Sequence, residues 1–189
     1  MVIGIAALTI YLGSRHKLRA LAPRSLVSIE HYNINGKIRF RRLFFALKPC
    51  VDGFISGCRP YLAIDSTFLT GRYKGQLASA TAVDDHNWLY PVCVGVFDSE
   101  TNENWVWFMS KLREVVGLPR GLAISMDVGQ AMMNGVAEVF PQAEHMEYKF
   151  HLGRSFMTTF GKRLTRGTHT CLRSIGLKWR KQSLLQLII

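Results

Sequence analysis

The chain has 189 residues, 48% of them hydrophobic, which suffices for one cored domain and is too apolar for a disordered polypeptide. Its formal charge of +11, from 24 Lys and Arg against 13 Asp and Glu, attracts a polyanion, nucleic acid above all, with a strength that falls as salt rises. Cys50, Cys58, Cys93 and Cys171 form no CxxC pair or zinc spacing and are sparse for a secreted disulfide scaffold, so a reduced, intracellular chain is expected.

The opening MVIGIAALTIYL is apolar over 12 residues, short of the roughly 20 needed to cross a bilayer. Arg15, Lys17 and Arg19 follow that run instead of preceding it, so a buried or partner-seeking helix is expected rather than a signal peptide. Lys37 to Leu47 (KIRFRRLFFAL) mixes basic and aromatic residues and suits a strand leading into a turn-like CVDGFISGC. Arg59 to Asp65 (RPYLAID) reads as a buried strand that closes on an acid. Gln76 to Val83 alternates Leu77, Ser79, Thr81 and Val83 with Ala78, Ala80 and Ala82, the period of a second strand. Asp84-Asp85-His86-Asn87 is turn chemistry, and Tyr90 to Phe97 resumes the alternation, completing a hairpin.

From Asn102, apolar residues at Trp105, Phe108, Met109, Leu112, Val115 and Val116 recur at helical spacing, and Gly117 and Pro119 end the helix. Gly121 to Asp127 (GLAISMD) is a short apolar strand that again ends in an acid. A helix bearing Met132, Val136 and Val139 follows and stops at Pro141. Glu144 to Phe150 suits a further strand and His151 to Phe160 the start of a helix. A hairpin followed by strand-helix alternation predicts an α/β fold, a mixed sheet with helices packed on it. Beyond Glu147 there is no acid, while Tyr148 to Ile189 holds nine Lys and Arg, either a solvated helix face or a phosphate-contacting surface.

Asp65 and Asp127 each follow an apolar strand. Ligands of open α/β sheets bind outside the carboxyl ends of strands, so if the two strands are neighbours the acids meet there. Clustered carboxylates repel unless a cation neutralises them, and oxygen ligands favour Mg2+ or Mn2+, ions that activate an attacking hydroxyl and stabilise the leaving oxygen of a phosphodiester. An Asp at a strand end also serves as a turn former or helix cap, so that alternative stays open. Asp98, Glu100 and Glu103 read as decoration of the next helix N-terminus. Trp105 and Phe108 read as core, whereas Trp107 is open between core and base stacking. His151 reads as a structural histidine ahead of a ligand.

The string CRPYLAIDSTFLTGRYKGQLASATAVDDHNWLYPVCVGVFDSETNENWVWFMSKL, continuing through GLAISMD to EVFPQAEHMEYKFHL, resembles the transposase domain of plant Mutator-like elements (MULEs) from about Phe40 to Phe160. The ordered set D-S-T, G-x-Y-x-G-Q-L, N-W-x-W-F and E-V-F-P-x-A-E-H carries it. The resemblance implies an RNase H-like core whose DDE acidic triad cuts and joins DNA with divalent metal, Asp65 matching the first acid and Asp127 the second. The family's third acid lies beyond its histidine motif, where this sequence has no Asp or Glu. His151 matches the histidine of the family's C-x-x-H motif, but Tyr148 stands in place of the cysteine. Residues 127 to 131 also depart from the family's more basic version, and its N-terminal zinc-type module is absent.

These departures imply a truncated or decayed copy. Residues 1–36 are read as an N-terminal flanking region, 37–162 as a partial RNase H-like core and 163–189 as a basic tail. Whether the residues after about Thr168 are genuine or a displaced reading frame stays open. Expected are catalytic and metal-binding Asp65 and Asp127, Mg2+ or Mn2+ as cofactor, DNA as partner, and the nucleus as location, with no membrane and no small-molecule substrate. Homo-oligomer formation is open. The isolated chain is expected to be catalytically incomplete; the alternative is a domesticated, non-catalytic DNA-associated or transcription-regulatory protein.

Overall fold

The computed structural model describes residues 22–70, 74–127 and 129–147. Among these residues seven strands form one mixed sheet in the order β1-β2-β5-β4-β3-β6-β7. They are β1 (Leu26–Ile34), β2 (Lys37–Ala46), β3 (Tyr61–Phe68), β4 (Gln76–Val83), β5 (Leu89–Phe97), β6 (Ala123–Met126) and β7 (Glu144–Glu147). Pairing is antiparallel from β1 through β3 and parallel from β3 through β7. The helices are α1 (Lys48–Gly57), α2 (Asn102–Val116) and α3 (Gln130–Val139). Parallel neighbours need a crossover, and α3 supplies it between β6 and β7, while α2 carries the chain from β5 past β4 and β3 to β6.

Two elements differ from the sequence reading. β1 was not foreseen: Leu26–Ile34 pairs along its length with β2 through an Asn35-Gly36 turn. Both turn residues have positive φ (51° and 75°), the type I′ geometry whose twist matches that of the strands. CVDGFISGC is not a turn but most of α1, begun by Pro49 in its first turn and anchored by buried Val51 and Phe54 three residues apart. Gly53 is accommodated because Tyr90 packs where a side chain would stand.

The core lies between one sheet face and α2. Registers Ile64↔Ala80, Ala80↔Cys93, Ala78↔Gly95, Phe44↔Gly95 and Ile64↔Met126 put all these residues on that face. Thr101 caps α2 by accepting the Asn104 amide at 3.2 Å, and Gly117, at φ 69°, ends it. Trp105 and Phe108 are fully buried, with Phe97–Trp105 and Phe44–Phe108 ring centroids 5.2 and 5.6 Å apart, edge to face. Phe108 needs Gly95 beneath it, since a Cβ there would stand 2.6 Å from its ring. Gly135 plays the same part between helices: a Cβ on it would lie 3.0 Å from the Trp105 backbone carbon.

Trp107, left open above, is also core. It lies under the Arg42 guanidinium, 4.7 Å from the ring centroid. Arg42 is buried and charged, so it requires partners: Glu30 takes its Nε at 2.8 Å and its Nη2 at 2.7 Å, and Asn104 Oδ1 takes Nη1 at 3.3 Å. Asn104 in turn donates to Asp98 and to the Ser99 carbonyl. The N-W-x-W-F motif is therefore a structural brace joining β1, β2 and the start of α2. Among the described residues, no helix is long and apolar enough to cross a membrane.

Candidate active site

The parallel register of β3 with β6 ends at Ile64↔Met126. The next residue on each strand path is Asp65 and Asp127. The two acids thus occupy adjoining positions on neighbouring strands, with a strand spacing of about 4.8 Å. Asp65 does not close its strand as expected. β3 continues to Phe68, and Asp65 sits inside it, opposite Ser79 of β4, on the face turned away from α2. The strand continues because it pairs with β4 as far as Gln76.

Asp65 is exposed, and its Oδ1 accepts the Ser66 amide at 2.7 Å, which holds the carboxylate in one orientation. Asp127 is half-buried, directly after the four-residue β6, whose last three residues are buried. No third His, Cys, Asp or Glu completes a metal-binding set among the described residues. Tyr148, His151 and the basic residues from Lys149 onward lie outside the described residues.

On the α2 side of the same sheet end sits a second polar group that the sequence reading missed. Gln76, the glutamine of the G-Q-L motif, is 3% exposed. Its Nε2 donates to Ser66 Oγ at 3.1 Å and to Glu100 Oε2 at 3.1 Å. Both protons of the amide are used, and Oε1 has no hydrogen-bond partner among the described residues. Glu100 is therefore not simple decoration of a helix start. Its other oxygen lies 3.1 Å from where a Cβ on Gly129 would stand, two residues past Asp127. Through Gln76, the residue after one aspartate is tied to the loop that abuts the turn after the other. An open cavity of about 480 Å³ adjoins this group, lined in part by Phe68, Lys74, Gln76, Asp98 and Glu100.

Two hard oxygen donors side by side at the parallel seam suit Mg2+ or Mn2+, which are commonly held by one or two carboxylates and complete their shells with water and substrate phosphate. The donor set fits the ion that the resemblance implies.

A mixed sheet with helical crossovers and two acids at adjoining positions on neighbouring parallel strands defines an α/β domain. Residues 61–155, half of the chain, match the MULE transposase domain, and the chain belongs to that family. No curated protein matches it.

Proposed function

We propose that this domain is the catalytic core of a DDE-type DNA transposase with an RNase H-like fold. Antiparallel β3, β4 and β5, followed in the chain by parallel β6 and β7 with helices between, support the fold assignment. The observation that carries the chemistry is the register that brings Asp65 and Asp127 to adjoining positions on β3 and β6. In this reading the two carboxylates hold Mg2+ or Mn2+, which when bound activates a water or 3′-hydroxyl and stabilises the leaving oxygen of the phosphodiester. The Ser66 amide orients the Asp65 carboxylate, and the surplus positive charge retains DNA. Work on chromosomal DNA places the protein in the nucleus; homo-oligomer formation is compatible with this role.

The 189-residue chain by itself is expected to cut DNA at or near background. Two ligands hold a metal without fixing it, and lost positioning costs orders of magnitude in rate. Mn2+ titration followed by electron paramagnetic resonance tests the site directly. Asp65→Asn and Asp127→Asn are each expected to weaken binding at least tenfold; equal binding by the double variant would remove the site. Robust cleavage of terminal-repeat DNA by the unaltered chain, lost in Asp65→Asn, would instead show that two acids suffice.

A second reading, a non-catalytic DNA-associated or transcription-regulatory protein that keeps the fold, is favoured by one observation: among the described residues no third His, Cys, Asp or Glu joins the two acids. It predicts duplex binding that is indifferent to both aspartates and to divalent metal.

A further inference from the structure

β2 runs for ten residues but meets β5 only from Arg42 to Phe45. The hairpin beyond that contact, residues 31–40, continues as a two-stranded ribbon, exposed at every residue from His31 to Ile38 and half-buried at Arg39 and Phe40. It projects past the level where Arg42 pairs with Phe97, and Phe97 with Gln76, which is the end of the sheet toward which β3 runs past Asp65. Its turn is a rigid type I′ pair, so docking the tip costs little conformational entropy.

The composition of the ribbon selects the partner. HYNINGKIRF contains Lys37, Arg39 and His31 and no acid. The neighbouring Glu30 is engaged by Arg42, whereas none of the ion pairs among the described residues involves Lys37 or Arg39. Registers Tyr32↔Arg39 and Ile34↔Lys37 set cations among apolar side chains on one ribbon face, and Asn33↔Ile38 sets an amide beside an aliphatic on the other. Ile34 and Ile38 are 46% and 47% exposed, an arrangement that water alone does not favour.

Resting on the reading of DNA as substrate, we infer that this ribbon enters the major groove of the duplex flanking the cut site. That groove, about 12 Å wide, admits a two-stranded ribbon. Asn33 and Ile38, on one face, suit an adenine edge and a thymine methyl, and Lys37 and Arg39, on the other, suit phosphates along the groove wall. The lateral offset is three strand steps, from β2 to β3. With the strand rise included, Arg39 and Lys37 stand roughly 20–30 Å from Asp65. The groove contact therefore falls roughly six to nine base pairs from the scissile phosphate, within one turn of the duplex.

Fluorescence anisotropy of the full chain on a labelled 30-base-pair duplex, repeated across KCl concentrations, tests this. Replacing exposed Lys37 and half-buried Arg39 together, Lys37→Gln with Arg39→Gln, is expected to weaken binding at least tenfold at low salt and to make the log-log salt slope shallower by about 1.8, two phosphate contacts' worth. Asn33→Ala with Ile38→Ser keeps the charge, so it is expected to weaken binding severalfold with the slope unchanged. Circular dichroism checks that each variant keeps the fold. Unaltered affinity in the first variant while the parent binds duplex overturns the ribbon assignment and leaves the DNA reading standing. An effect confined to the charge variant overturns groove entry. No duplex binding by the parent at low salt overturns both.

Discussion

The antiparallel and parallel halves of the sheet are built to different standards. β2, β4 and β5 run for eight to ten residues, and β2 and β5 lie beneath an aromatic cluster of Phe44, Phe97, Trp105 and Phe108. β6 and β7 have four residues each, and the residue that matters most, Asp127, falls just past the end of its strand. Packing dominates one half and polar chemistry the other. A long, well-packed antiparallel platform lets a short parallel seam carry two like charges that contribute nothing to the core.

The sharpest contrast comes from mutating one residue in each half. Phe108→Ala empties the space over Gly95 and beside Phe44 and is expected to cost about 3–5 kcal/mol in chemical denaturation. Asp65→Asn, exposed and outside the core, is expected to change stability by no more than about 0.5 kcal/mol. Comparable losses in the two variants would erase the division. Between these limits, Gln76→Leu removes the bridge from Ser66 to Glu100. It is expected to cost about 1–2 kcal/mol, tempered by removal of an unpartnered Oε1. The same variant is expected to loosen Mn2+ severalfold, whereas unchanged metal affinity would make the bridge purely structural.

The smallest effect is a rate. Burial pushes the Cys93 thiol far above its ordinary range, so little thiolate forms at pH 8 and alkylation is expected only after unfolding. Cys50 and Cys58 are also raised by burial, but they are only half-buried and are expected to react slowly in the native state. Peptide mapping after timed maleimide labelling separates the two behaviours; early Cys93 modification would mean that the antiparallel platform opens.

How much of this was legible depended on whether the signal was local. α2 and α3 follow from periodicity, because their apolar positions answer to one buried face each, and Met132, Val136 and Val139 are buried as spaced; β4 and β6, buried on both faces, follow from alternation and from a short apolar run. β1 escaped because LVSIEHYNI is nowhere fully buried, its second half is exposed and it carries polar residues on both faces; the Asn35-Gly36 pair was the available sign. α1 escaped because its two glycines resemble turn residues, and what tolerates Gly53 is Tyr90, distant in sequence. At the site, the two acids were identifiable one at a time, but their adjacency is a property of β3 lying beside β6, which neither segment encodes alone. Glu100 was misread for the same reason: its partner Gln76 precedes it by 24 residues.

Gly135 has a consequence outside the core. Its missing side chain lets α3 press against the Trp105 backbone, and the turn that begins α3 is the one that leaves Asp127. A larger residue there must part α3 from the Trp105 backbone by a few tenths of an ångström, at the helix that follows Asp127 in the chain. The clearance afforded by a single hydrogen atom on α3 thereby sets how near the helix behind Asp127 lies to Trp105.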